Sequence, residues 1–330
     1  MIGVVLLNMG GPDSLSAVRP FLQNLFSDRE IIRLGPAFLQ PVIAWIISFR
    51  RAPKSRAAYE KIGGKSPLAD ITAAQAHALE KALSQSLGEK TCRCLSGMRY
   101  WRPRTPDALA ELSRLGVRRV IALSLYPHYS RATNGSSIDD FERAARALGM
   151  EYRVIDSYPD DPLYVDALTE TVSEGLARLL GRPWDEHGGL SEDAVLVYSA
   201  HSLPKKMVEE GDPYVQHLER TIAALEACTG VQGVLSFQSR SGPVKWLEPA
   251  TDRLLHDLLA SGKRKFLVLP VSFVSDHIET LYEIDMLFGD MVRAKGGTLV
   301  RTPALNTRPR FIEALARLVL KGLTEAKWLG

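Results

Sequence analysis

Short runs of apolar, often β-branched residues alternate along this chain with longer stretches in which leucine and alanine recur at helical spacing. In the first half the runs are GVVLL (3–7), CLSGM (94–98), VIALSL (120–125) and YRVI (152–155). Runs this short, bounded by polar and turn-forming residues, read as buried strands. Between them, residues 68–87, 106–115 and 138–148 carry their apolar positions at the helical period. Strands alternating with helices predict a parallel, doubly wound sheet with helices on both faces.

The second half repeats the pattern with AVLVY (194–198), VLSF (234–237), FLVLPV (266–271) and TLVR (298–301). Phe266 stands 146 positions after Val120, and Thr298 stands 146 after Tyr152. Beyond the fourth strand of each half, PLYVDAL from Pro162 matches PRFIEAL from Pro309, 147 positions on, each with proline where a helix start tolerates it. The expected class is therefore α/β, with two similar Rossmann-like lobes, each a four-stranded parallel sheet flanked by helices. The expected division is 1–160 and 161–307, with the C-terminal helix 308–330 a candidate to rejoin the first lobe. The carboxyl ends of the strands would then face one cleft.

Composition narrows the function classes. The 330 residues are 45% hydrophobic and 24% charged, as in an ordinary soluble globular protein. A net charge of +3 with no block of five or six basic residues argues against nucleic acid. Cys92, Cys94 and Cys228 cannot build a disulfide framework, and Cys92-x-Cys94 alone lacks the ligands of a zinc or iron–sulfur site. Buried thiols in a reducing, cytoplasmic compartment are expected. MIGVVLLNMGG has no basic region and too short an apolar core for a signal peptide. AFLQPVIAWIISF (37–49), followed by Arg50, Arg51, Lys54 and Arg56, is too short to span a bilayer. It suits a membrane interface or cleft mouth as well as it suits core packing. Gly10-Gly11 does not make G-x-G-x-x-G and no phosphate-binding P-loop occurs, which disfavours a nucleotide enzyme.

The chemistry-bearing residues collect at the strand ends. The stretch VLPVSFVSDHIETLYEIDML (268–287) leaves a strand and then presents Asp276, His277, Glu279, Glu283 and Asp285. On a continuous helix Asp276, Glu279 and Glu283 would share one face, which could equally be a solvated surface. His201, just past strand AVLVY, changes that balance, because it should lie on the same sheet edge as the carboxylates. One imidazole opposed to a row of carboxylates can ligate a divalent first-row metal or relay protons. Met9, Tyr59, Tyr100, Trp101, Tyr126, Tyr129, Trp246 and Phe273 near strand ends suit a flat apolar ligand, although each alone also fits a core. Together these features suggest insertion of a metal into a macrocycle, which must release two pyrrole protons.

With LLNMGGP (6–12), YEKIGGKSPL (59–68), the YPHYS…GSS string (126–137), SAHSLP (199–204), QSRSGPVKWLEPATD (238–252) and SDHIETLYEID (275–285), the chain resembles ferrochelatases over essentially its whole length. The resemblance implies insertion of ferrous iron into protoporphyrin IX as the last step of haem biosynthesis. It implies His201 and Glu279 as the catalytic pair, with His201, Glu279 and Glu283 as metal-handling groups and Asp276 and His277 in support. Positions matching the porphyrin pocket are Met9, Arg51, Lys54, Tyr59, Ser66, Arg99, Tyr129, Ser136, Trp246 and Phe273. Arg51, Lys54 and Ser66 match residues that meet propionates, and the 36–49 lip matches a membrane-facing edge.

The implied substrates are porphyrin and Fe²⁺, with no required cofactor. No [2Fe–2S] cluster is expected, since no cysteine follows Cys228 and Arg131 stands where some members have one. The carboxylate lane of the family often runs one turn further, where this chain has Leu287. A monomer is expected, without the C-terminal extension through which some members dimerise. A coproporphyrin III ferrochelatase, a cobalt chelatase and a non-catalytic tetrapyrrole carrier stay open as alternatives.

Overall fold

The computed structural model of the chain describes all residues except 32–34, 89–90, 185–188, 241, 243 and 329–330. Ser241 and Pro243 of the QSRSGP string lie outside the described residues.

Each apolar run forms a strand. β1 (Ile2–Asn8), β2 (Cys92–Met98), β3 (Arg119–Ser124) and β4 (Glu151–Ile155) make one sheet in the order β2-β1-β3-β4. β5 (Ala194–His201), β6 (Gly233–Gln238), β7 (Lys265–Leu269) and β8 (Thr298–Arg301) make a second, in the order β6-β5-β7-β8. Every pairing is parallel. The central β1 is buried along its full length, as a continuous apolar run between two helix layers requires. β7 stops at Leu269 because Pro270 has no N–H to continue the ladder. β5 runs on past Tyr198 to His201, which is opposite Gln238 of β6.

The chain divides into two compact units, Met1–Tyr158 with Asn306–Gly330, and Pro159–Leu305. The repeat in sequence and the unit in space are therefore out of step by one helix. Helix Pro162–Leu180 follows β4 but packs on β7 and β8. Helix Pro309–Glu325 follows β8 but packs on β3, β4 and helix Leu68–Leu87. A glycine stands at the same repeat position in each helix; at Gly175 the approach is too close for a side chain, while at Gly322 a side chain would make ordinary contact. A Cβ on Gly175 would meet Leu267 Cδ1 at 2.6 Å, and one on Gly322 would lie 3.5 Å from Ile121 and 3.6 Å from Ile155.

In the first unit Val5, Leu7, Leu109, Leu112, Val120, Ala122 and Phe141 form the centre of one core. In the second, Val197, Leu255, Phe266, Val268, Ile284, Phe288 and Val292 do so. In both units the segment after the third strand contains a π-helical stretch, Arg131–Gly135 and Glu279–Phe288. This rare widened helix is frequent at functional sites. No helix among the described residues is long and apolar enough to cross a membrane.

Candidate active site

The carboxyl ends of β5 and β6 in the second unit hold the chemistry. His201 closes β5 with its backbone fixed on both sides. Its N–H donates to Ser272 Oγ at 2.9 Å, and its carbonyl accepts from the Tyr214 hydroxyl at 3.0 Å. The imidazole is thereby aimed, and its Nδ1 lies 2.9 Å from Glu279 Oε2. Phe273 meets the ring edge-on at 6.4 Å between centroids. With Nδ1 engaged, Nε2 is the ring nitrogen left to face a substrate.

Glu279 is the first residue of the π-helix. Ser239, one residue past β6, donates to it through Oγ at 2.7 Å, and Gln238 Nε2 stands 3.5 Å away. The Ser239 backbone N–H also donates to Glu283 Oε1 at 2.9 Å, and its Oγ contacts Glu283 Oε2. Ser239 adopts φ +63°, the left-handed region that a non-glycine residue enters at a cost of about 1–2 kcal/mol. Strain of this kind, held in place by three polar contacts, is a mark of a functional turn.

Burial and charge set the protonation states. Burial pushes the His201 imidazole down, but the Glu279 carboxylate beside it outweighs that, and the net shift is upward. Burial alone would raise Glu279. The charge and hydrogen bond of His201, with help from His277 and Ser239, hold it well below the usual carboxylate range. Glu283 is pushed up, first by burial and then by repulsion from Glu279, against the two Ser239 hydrogen bonds. A serine hydroxyl has one hydrogen, which Glu279 receives. The Glu283 carboxyl, the group burial favours in its neutral form, can then donate its own proton to the same oxygen. The result is a continuous row of hydrogen bonds, Glu283–Ser239–Glu279–His201. His277 is pushed down by burial, and its Nδ1 hydrogen donates to the Ser275 carbonyl at 3.0 Å.

Asp276 departs from the helix-face expectation. It precedes the helix, and its carboxylate pairs with Arg301 at 3.0 Å and accepts from Thr280 Oγ1 at 3.2 Å. The π-helix instead sorts its residues into rows four apart. Glu279, Glu283 and the exposed Leu287 form one row, and the buried Thr280, Ile284 and Phe288 form the next. The apolar row anchors the helix, through Ile284 and Phe288 in the core, and the acidic row is thereby turned toward His201 and Ser239.

Trp246 is half-buried near the start of the helix Lys205–Glu209, bridging to Pro204, and its indole nitrogen has no protein partner among the described residues. A buried donor without a partner is what a ligand-facing indole presents.

The remaining expected pocket residues belong to the first unit. Met9 is half-buried directly after β1, and Tyr59 is buried on helix Gln40–Lys61. Arg51 and the exposed Lys54 lie on that same helix, with the Arg51 guanidinium over the Phe26 ring at 5.4 Å. Ser66 is buried against Gly11, where a side chain would collide with it at 2.4 Å. Tyr129 is half-buried in the loop after β3, its hydroxyl beside Gly135.

Arg99 and Ser136 are committed to a framework. Arg99 bonds Asp28 at 2.7 Å and Ser136 at 2.7 Å, and Tyr100 and Ser136 also reach Asp28, at 2.7 and 2.6 Å. Burial would raise Asp28, but the hydroxyls of Ser136 and Tyr100, the Glu30 N–H and the Arg99 charge bring it lower. Ser239, Ser272, Tyr214 and Arg301 are functional neighbours to which the sequence reading assigned no role. Ser239 falls in a polar string at a strand end, which was a signal; the others carried none.

Among the described residues no three or more His, Cys, Asp or Glu side chains gather as a ready metal cage. His201 and Glu279 bind each other, so an arriving ion would have to compete for them.

Comparison with known proteins bears on this geometry. The ferrochelatase family profile matches residues 1–323. A ferrochelatase of Geotalea daltonii is 51% identical over 320 residues, covering 96% of each chain. One of Aquifex aeolicus is 44% identical over 322 residues, covering 96% of this chain and 98% of the other. Among solved structures, the sirohydrochlorin chelatase SirB of Bacillus subtilis subspecies spizizenii, in complex with cobalt, superposes with a TM-score of 0.54 at 10% identity. That match spans 99% of this chain and 98% of the other, and it speaks to the fold.

Proposed function

The chain belongs to the ferrochelatase family, and from that premise we propose that His201 and Glu279 accept the protons that ferrous iron displaces from a porphyrin. Insertion of Fe²⁺ into a porphyrin, in haem synthesis, is the activity of this enzyme. The observation that carries the site assignment is the 2.9 Å contact of His201 Nδ1 with Glu279 Oε2, at the end of a hydrogen-bonded row.

His201 presents Nε2 to a pyrrole N–H and takes its proton, and the resulting imidazolium is stabilised by Glu279. The ionised Glu279 carboxylate, held by the Ser239 hydroxyl, is the acceptor for the second proton. His201, Glu279 and Glu283 are also the groups an incoming ion would meet, and Asp276 and His277 hold the segment that carries them. Met9, Tyr59, Tyr129, Trp246 and Phe273 supply apolar contact to the macrocycle, and Arg51, Lys54 and Ser66 meet its propionates. Arg99 and Ser136 support that pocket through Asp28. No electron moves in the reaction, so we assign no resident cofactor. Cys92 and Cys94 are buried on β2, and burial pushes the Cys92 thiol up to about 11, which suits core thiols in a reducing cytoplasm.

We read the porphyrin as protoporphyrin IX, because the lip and the SDHIETLYEID string resemble that branch. Anaerobic Fe²⁺ insertion measured with both substrates tests this. A kcat/KM for protoporphyrin IX at least about tenfold above that for coproporphyrin III is expected, about 1.4 kcal/mol of discrimination. The opposite preference would reassign the substrate.

The lip is proposed to touch a membrane surface. Phe38, Val42, Trp45 and Phe49 are exposed, at 78%, 55%, 49% and 58%, and Arg50 and Lys54 follow on the same helix. The Arg19 guanidinium lies 5.1 Å from the Trp45 ring and 5.2 Å from the Phe49 ring, giving the patch cationic character. In flotation with phosphatidylglycerol vesicles the protein should co-migrate at low salt. The Phe38→Ser/Phe49→Ser double variant should lose most of that binding; equal binding by both would remove the lip from contention.

A further inference from the structure

The last residue of β8, Arg301, touches two carboxylates that bracket the acidic segment. Its Nε and Nη2 donate to Asp285 Oδ1 and Oδ2 at 2.8 and 2.9 Å, a two-pronged fork. Its Nη1 lies 3.0 Å from Asp276 Oδ1 and also donates to its neighbour's carbonyl, Thr302 O, at 3.2 Å. All three guanidinium nitrogens are engaged, and the side chain is only 11% exposed.

Asp276 and Asp285 are nine positions apart, about two and a half turns of an α-helix, so a continuous α-helix would put them on opposite faces. Here both reach one planar group, because Asp276 stands before the helix and the turns that follow are wide. His277, Glu279 and Glu283 all lie between the two anchors. Ser239 grips the Glu279–Glu283 row from the β6 side, and Arg301 grips the segment from the β8 side.

The first unit uses a neutral version of the same tie. There the buried Asn134, in the π-helical stretch after β3, donates from Nδ2 to Ser124 Oγ at 3.0 Å, the Tyr126 carbonyl at 2.9 Å and the Asp156 carbonyl at 2.6 Å. Asp156 is the residue after β4. Each unit thus lashes the segment after its third strand to the end of its fourth. In the second unit the tie is a charged fork, and the lashed segment carries the acidic row.

We infer that Arg301 is a positioning residue for iron insertion, which holds Glu279 at contact distance from His201 by clamping Asp276 and Asp285 in one plane. The inference rests on the functional reading above. Arg301→Lys keeps a positive charge beside both carboxylates but cannot offer the planar fork. It should bind protoporphyrin with unchanged affinity by absorbance titration and melt within about 3 °C of the parent. Its kcat should fall about ten- to hundredfold with KM for porphyrin unaltered, because small displacements of reacting groups are costly. Asp285→Asn, at a 36% exposed carboxylate, weakens the fork with little risk to folding and should lower kcat in the same direction. A kcat within twofold of the parent in both variants would overturn the inference, as would losses that merely track the folded fraction. A parent protein that inserts no iron would overturn the functional reading and this inference with it. A normal parent with normal variants would overturn the inference alone.

Discussion

Replacing His201 with alanine should lower iron insertion about a thousandfold, within the range expected for loss of a positioned acid–base group. Porphyrin affinity should change little, because the ring contributes one edge to a ligand held mainly by apolar contacts. The fold should tolerate the change. Ser272 and Tyr214 grip the backbone of residue 201 and not its imidazole, so the β5 end stays in place when the ring is removed. Glu279 loses its cationic partner but keeps the Ser239 hydroxyl and the Gln238 amide nearby. The measurement is single-turnover insertion under anaerobic conditions, alongside an absorbance titration of porphyrin. Near-parental turnover in His201→Ala would sink the assignment of the base.

The second large effect is on pH dependence, in Glu279→Gln. The parent imidazole sits above its ordinary value of about 6.5, since Glu279 overcomes burial. A base must be unprotonated to act, so the parent rate should rise with pH through a midpoint above that value. Glutamine removes the negative charge and leaves the burial, and the midpoint should move to lower pH. The maximal rate should fall about a hundredfold or more, because the imidazolium formed in the reaction loses its counter-charge. An unshifted midpoint in the variant would show that the pair is not coupled as described. The same pair has a stability signature. The raised His201 contributes stability that is complete below about pH 6.5 and lost as pH rises through its folded value. The depressed Glu279 contributes above about pH 4.3 and fades as pH falls through its folded value. The pair therefore stabilises the second unit most in the window between those ordinary values.

Much of this was legible in the residues themselves. The central strands could be read because a strand covered on both faces must be a short, nearly continuous apolar run, and IGVVLLN and AVLVYSA are such runs. His201 could be placed because it follows one of them directly. Glu279 and Glu283 could be paired because a spacing of four puts residues on one face of an α-helix and of a wider one alike. That same ambiguity hid the π-helix. Arg301 was invisible for a different reason. Its partners are 16 and 25 positions upstream by residue number, and an arginine at the end of an edge strand is otherwise unremarked. Arg99 and Ser136 match pocket positions, but Asp28, which holds them, sits in a loop that carries no motif. The expected division at 161, with 308–330 a candidate to rejoin the first lobe, had already set helix Pro162–Leu180 with the second sheet, although the repeat alone shows only that a helix follows each fourth strand.

The exchange of those two helices has a consequence for synthesis on the ribosome. The second unit, Pro159–Leu305, is one unbroken segment and can close as soon as it is made. The first unit cannot, because the helix that covers β3 and β4 is encoded beyond the whole of its neighbour. At about 5–20 residues per second, the nascent chain spends on the order of ten to thirty seconds with that sheet face open. During that interval Ile121 and Ile155 wait for the helix that carries Gly322 to arrive, so this face is where a holding chaperone would find its grip.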